Sequence, residues 1–370
     1  MTMCLIINVT TQSIIICFVW FFVYDIYQEE GENVVKLSIL DQVPMSRGET
    51  PMDALSHTIE LVQFAEKINY DRYFVAEHHN TTGLISNSPE ILMTRLLSVT
   101  SSINIGSAGI LLPQYSPYKV AENANLLEAL FPGRVTIGLG NSPGGSEITR
   151  KALTDGNASK VSAYDRMLEE FLGFMRNTLP LEHQYRGVKA GPRIEKHPEI
   201  FTLGLTDNGA KRAAKLGIGF VFGNFISDKY RDSAIKIYQQ GFIPNEFMKR
   251  PYTIFCSFII VVKDNAEREM QRRILDHWLL NVTKGRDTVI PSIEQVNKND
   301  YSEQDLRIIE KNRGRYFIGT KEDVKYEIKN LYETYRFDEL MVINNTFDFA
   351  LKKESFKAIK EITDEINSEE

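Results

Sequence analysis

Cysteine is scarce: Cys4, Cys17 and Cys256 are the only three in 370 residues. No two stand as a Cys-x-x-Cys pair, so neither a disulfide framework nor a paired-thiolate metal site is expected. Basic runs are absent too. The 43 Lys and Arg are dispersed against 49 Asp and Glu, a formal charge of −6, which argues against a nucleic-acid groove. No segment repeats with a period of 20 to 50 residues, so a solenoid or propeller is excluded. What is present is ordinary for a globular chain. Hydrophobic residues make up 43% and charged residues 25%, enough apolar surface for a large core. The sparse thiols suit a reducing compartment, and a cytoplasmic location is expected.

Not one Lys or Arg precedes Lys36, yet Ile14 to Tyr24 is a continuous apolar run. A secretory signal needs a basic start and a small-residue cleavage site, and neither is found. A membrane span needs about 20 apolar residues. Extending this run back to Cys4 crosses Asn8, Thr10, Thr11, Gln12 and Ser13. Residues 1–34 are therefore expected to lie outside the fold, as an extension from an upstream start. Membrane attachment through residues 4–24 is the alternative. Residues 35–370 are expected to form the folded unit.

From Val35 onward, short β-branched or apolar stretches alternate with longer helical ones. Strands are predicted at 35–40, 72–76, 104–110, 134–139, 199–203, 219–222, 252–262 and 339–343. Each is followed by a stretch with helical apolar spacing, as in Leu55, Ile59, Val62 and Ala65. Pro51, Pro89 and Pro117 sit where helices should begin. Eight β-then-α units predict an α/β fold of the (β/α)8 TIM-barrel type, with an open doubly wound sheet as the alternative. The long polar connection 281–315 reads as an insertion before the last unit.

In such a barrel the site lies at the C-terminal ends of the strands. Glu77-His78-His79 is the sharpest feature there, holding two of only six histidines. Adjacent side chains point to opposite sides, so one of the pair can face the mouth as an acid–base group. The plainer possibility is that both only pack the loop. Gly138-Leu-Gly140-Asn-Ser-Pro-Gly144 fails as a dinucleotide fingerprint, because its third Gly comes six residues after the first and Pro143 stands in the way. It reads instead as a glycine-rich loop at a strand end. Thr206, Asp207, Asn208 and Gly209 open a helix whose first-turn N–H groups could hold a phosphate, or could simply be capped. Ser107-Ala108-Gly109 is a small-residue strand end that suits close approach of a ring.

Four blocks in order across residues 71–145 resemble the bacterial luciferase-like monooxygenase family. They are Ala76-Glu-His-His79, Gly106-Ser-Ala-Gly-Ile-Leu-Leu-Pro113, Ala121-Glu-Asn-Ala-Asn-Leu-Leu127 and Pro132-Gly-Arg-Val-Thr-Ile-Gly-Leu-Gly140. Gly319-Thr320 and Asp338-Glu-Leu-Met-Val342 resemble the family's last unit. The resemblance implies a barrel that uses reduced FMN and O2 on a small organic substrate, with a flavin reductase supplying the reduced FMN. It also implies a homodimer. An F420-dependent dehydrogenase on the same fold, or a flavin-binding protein without catalysis, are the alternatives. Lys189, Arg193 and Lys196 could give the basic rim that F420 requires. By resemblance His78 is the catalytic base. Ser107, Ala108 and Gly109 lie under the flavin ring, where a non-proline cis peptide is common. Thr206, Asn208 and Gly209 form the phosphate loop. Asn141 stands where many members carry a phosphate-binding Arg, and Gly140 where the luciferases have Cys. No metal is implied.

Overall fold

The computed structural model describes residues 34–142, 144–157 and 161–369. The apolar run 14–24 and Pro143 lie outside the described residues. Nine strands run parallel in one sheet: β1 (Lys36–Asp41), β2 (Arg72–Val75), β3 (Asn104–Leu111), β4 (Val135–Gly140), β5 (Glu199–Gly204), β6 (Gly219–Gly223), β7 (Thr253–Val261), β8 (Tyr316–Gly319) and β9 (Glu339–Ile343). Eight of them close a barrel in the order β1-β2-β3-β4-β5-β6-β7-β9, with β9 returning to β1 through pairs such as Leu37 with Leu340. This is the expected (β/α)8 architecture.

The ninth strand was not anticipated. β7 is nine residues long, and its two halves have different partners. Ile254–Phe258 pairs with β9, while Phe258–Val261 pairs with β8. The expected insertion holds helices at Ile293–Val296 and Glu303–Asn312 before it reaches β8. Four residues are too few for periodicity to distinguish a strand from a loop.

Helices cover the outside of the barrel. The first three are α1 (Pro51–Lys67), α2 (Pro89–Ser98) and α3 (Pro117–Leu130), each with proline in its first turn. Thr50 caps α1 in a capping box with Asp53, whose carboxylate accepts the Thr50 N–H at 2.8 Å. After β4 come α4 (Glu147–Leu153) and α5 (Tyr164–Arg176), and after β5 comes α6 (Asp207–Leu216). α6 stops at Gly217, whose φ of +59° suits a left-handed cap.

The strands are buried on both faces, so alternate residues enter two cores. Tyr73, Val75, Ile105, Ile137 and Leu340 pack outward against the helices. Phe74, Phe201, Val221, Ile254 and Met341 fill the interior. The N-terminal end of the interior is closed by charge rather than by hydrocarbon. The Arg72 guanidinium bonds Glu339, reaches Glu199 Oε2 at 2.5 Å and donates to Tyr252 Oη at 3.0 Å. Tyr252 in turn donates to Glu339 Oε2 at 2.8 Å. Glu339 is fully buried. Among the described residues no helix is long and apolar enough to cross a membrane.

Candidate active site

The C-terminal mouth of the barrel holds a cavity of about 480 Å3, within the usual range for a small-molecule site. Consecutive strands reach it in small residues: Ala76 after β2, Ala108 and Gly109 in β3, Gly140 ending β4, Gly204 ending β5 and Gly223 ending β6. Bulk at these positions would fill the mouth. Gly109 is also required for strand packing, since a Cβ there would meet Gly138 O at 2.8 Å and Leu203 Cδ1 at 2.8 Å. The Ala108–Gly109 peptide is cis. Leu40, Leu203, Leu205, Phe225 and Ile226 supply apolar wall.

Polar groups converge on this space. Gln42, His78, Asn141, Ser142, Thr206 and Arg212 all line it. Three of them carry a buried atom with no hydrogen-bond partner among the described residues: His78 Nδ1, Asn141 Oδ1 and Arg212 Nε. Unpartnered buried polar atoms are costly and uncommon in folded proteins.

His78 and His79 divide as alternation predicts. His78 lines the cavity. His79 Nε2 lies 2.6 Å from Glu77 Oε1, outside that lining. The Glu77 carboxylate also accepts from Tyr115 Oη at 2.6 Å and from the Leu111 N–H at 2.8 Å, so it ties β2 to β3. The His78 imidazole does not titrate near neutrality as its type alone suggests. Burial, and then the neighbouring His79 charge, push it down to about 4. Its ring is uncharged at neutral pH, leaving a basic nitrogen free for a hydrogen bond.

The other expected site residues are placed as follows. Ala108, Gly109, Asn141, Thr206 and Gly209 line the cavity. Ser107 does not, because its hydroxyl is spent between strands. It donates to Gly138 O at 2.9 Å and accepts the Gly138 N–H at 3.1 Å. Asn208 is exposed and lies off the lining. Thr206 caps α6 through the Gly209 N–H at 3.3 Å. Asp207 turns away, accepting from Ser233 Oγ at 2.6 Å. Asp41 also points out of the mouth, taking bonds from Thr58 and Tyr73 hydroxyls at 2.6 Å each. Lys196, one of the three candidate rim cations, sits with Lys36 and Arg72 in a separate cavity at the opposite end of the barrel. Sequence reasoning missed Arg212. The signal was there: it lies three residues after Gly209 on the same helix, hence on the same face.

A closed parallel barrel with a ligand-sized cavity at its C-terminal mouth defines a (β/α)8 protein of the TIM-barrel class. The family model for luciferase-like monooxygenases matches residues 35–338. YceB, an uncharacterised protein of Bacillus subtilis, is 44% identical over 329 residues, covering 89% of this chain and 99% of its own. The N-acetyl-S-alkylcysteine monooxygenase of Bacillus subtilis is 33% identical over 334 residues, covering 89% and 98%. The crystal structure of apo-MsnO8 superposes with a TM-score of 0.81 at 26% identity, over 90% of this chain and 99% of that one. The chain belongs to the luciferase-like monooxygenase family. Membership puts it among oxidoreductases of the monooxygenase kind.

Proposed function

We propose that this chain binds reduced FMN in the mouth cavity and uses O2 to oxidise a small organic substrate. The observation that carries this reading is the convergence of His78, Asn141, Thr206 and Arg212 on one cavity floored by Ala108 and Gly109. Their chemistry fits a flavin, which is a flat ring with polar edges and an anionic tail. Ala108 and Gly109 offer a floor without side-chain bulk for the ring. At the first turn of α6 the Thr206 cap takes the Gly209 N–H and leaves those of Asp207 and Asn208 for the phosphate. Reduced flavin, when bound, supplies the electrons that activate O2.

The remaining work falls to this chain. His78, uncharged at neutral pH, holds or accepts a proton at Nε2, the ring nitrogen that is not sealed off, during oxygen transfer. Leu40, Phe225 and Ile226 exclude water and receive the apolar part of the substrate. The relative named for N-acetyl-S-alkylcysteine supports a substrate of that modest size. A separate flavin reductase and a homodimeric assembly complete the proposal.

Anaerobic titration of the purified protein with reduced FMN and, separately, with reduced F420 tests this reading. Saturable binding of reduced FMN is expected, followed by O2-dependent reoxidation when air is admitted. Binding of F420 alone would move the chain to the deazaflavin dehydrogenases. Binding of neither would overturn a cofactor role for the cavity.

A further inference from the structure

The family resemblance leaves a gap at position 141, where Asn replaces an arginine expected to hold phosphate. Resting on the flavin reading above, we infer that Arg212, from α6, supplies the missing cation to the flavin phosphate.

The geometry is specific. Arg212 lines the mouth cavity next to Thr206 and Gly209. Its Nη2 lies 3.9 Å from the position a Cβ would take on Gly209, so the guanidinium reaches back over the first turn of its own helix. The side chain is only 17% exposed. Its orientation is set by the protein. The guanidinium carbon stands 4.9 Å from the centroid of the Tyr164 ring. Tyr164 is itself fixed, donating to Leu139 O at 3.0 Å and sharing a hydrogen bond with Thr202 Oγ1 at 2.8 Å. β4 and β5 therefore hold the arginine in place before any ligand arrives, which lowers the ordering cost of binding.

One carboxylate pairs with the guanidinium without using up its donors. Asp165 pairs with Nη1, but its own side chain is 73% exposed, so solvent screens it. Asp207 is turned to Ser233. A guanidinium has five N–H donors in a planar fork. Asp165 engages Nη1 and leaves Nη2, over the first turn of α6, for a ligand in the cavity. The free donors and the first-turn N–H groups of α6 together suit a terminal phosphate dianion.

Full-length protein, Arg212→Ala and Arg212→Lys can be compared by anaerobic fluorescence titration with reduced FMN and reduced riboflavin, beside their melting temperatures. These two ligands differ only in the phosphate. The parent should prefer FMN. Arg212→Ala should weaken FMN about 10–100-fold, the range of a charge-assisted bond, and leave riboflavin unchanged. Arg212→Lys should fall between. Adding Asn141→Arg to Arg212→Ala should recover part of the FMN preference. Equal weakening of both flavins, or unchanged FMN binding, would overturn the assignment. If Arg212→Ala does not fold, a folded Arg212→Lys with full FMN preference does the same. A parent protein that binds both flavins alike sinks only the role of Arg212. A parent that binds neither sinks the flavin reading itself.

Discussion

His79 closes on Glu77 with Nε2 2.6 Å from Oε1, and of the two histidines only His78 lines the mouth cavity. Adjacent in sequence, the two histidines have different tasks. One braces the loop between β2 and β3, and the other faces the place where chemistry would occur.

His78→Ala should lower turnover by about 10²–10⁴, the usual worth of general acid–base assistance. Flavin affinity should change little. His79→Ala should instead cost about 1.5 kcal/mol of stability, the lower end for a hydrogen bond to a charged group. Turnover, flavin affinity and melting temperature measured on both variants decide it. Lost turnover in a stable His79→Ala, with His78→Ala active, would reverse the two roles.

The depressed His78 titration has a consequence for folding. In the unfolded chain the imidazole takes its proton near pH 6.5; in the folded protein it does so only near 4. Between those values the unfolded state binds more protons, so stability falls as pH drops through that window and is full above it. His197 and His277 are also lowered by burial and act in the same direction. Urea midpoints from pH 4 to 7 should show the decline, and His78→Gln should flatten it. An unchanged slope in that variant would remove His78 from the account.

Asn141 lines the cavity directly after β4, beside Ser142. Asn141→Arg should tighten reduced FMN by about 1.5–3 kcal/mol if the new bond is charge-assisted. Reduced riboflavin should bind as before. An unchanged dissociation constant for FMN would mean that residue 141 does not meet the phosphate.

At the other end of the barrel, Arg72 compensates a fully buried Glu339. Arg72→Met should cost about 3–5 kcal/mol, because it leaves a buried carboxylate without its cation. Adding Glu339→Gln should recover much of the loss. Flavin affinity of the folded fraction should not move, since the mouth is remote from this cluster. Denaturant midpoints for the single and double variants measure the coupling.

The first described strand is clasped to the last helix, Phe349–Glu369. Asn367 accepts the Val35 N–H at 2.9 Å and donates to Val35 O at 3.2 Å. We propose that a chain starting at Val35 folds and binds flavin as the full chain does. Circular dichroism and reduced-FMN titration of that truncation check it, and a chain that fails to fold would show that residues 1–34 are needed.

Much of this protein was legible in its sequence, for a local reason. Each β-then-α unit writes its own burial pattern, so eight strands and the helices between them follow from apolar spacing and from the prolines that open α1, α2 and α3. The opposite facing of His78 and His79 follows from the period of two in extended chain. Closure of the barrel decided the rest. Whether β7 would have a second partner in β8 depends on its length relative to β9, a comparison between segments more than 70 residues apart. Arg72 meets Glu339 across 267 positions only because β1 lies between their two strands. Ser107 reads as a mouth residue by position, yet the register of β3 on β4 commits its hydroxyl to Gly138. Arg212 reads as an ordinary helix-surface cation, yet the rotation of α6 over Tyr164 carries it to the cavity. Local periodicity records which side chains are buried. Only the closed sheet determines which buried polar atoms meet, and which side chains reach the mouth.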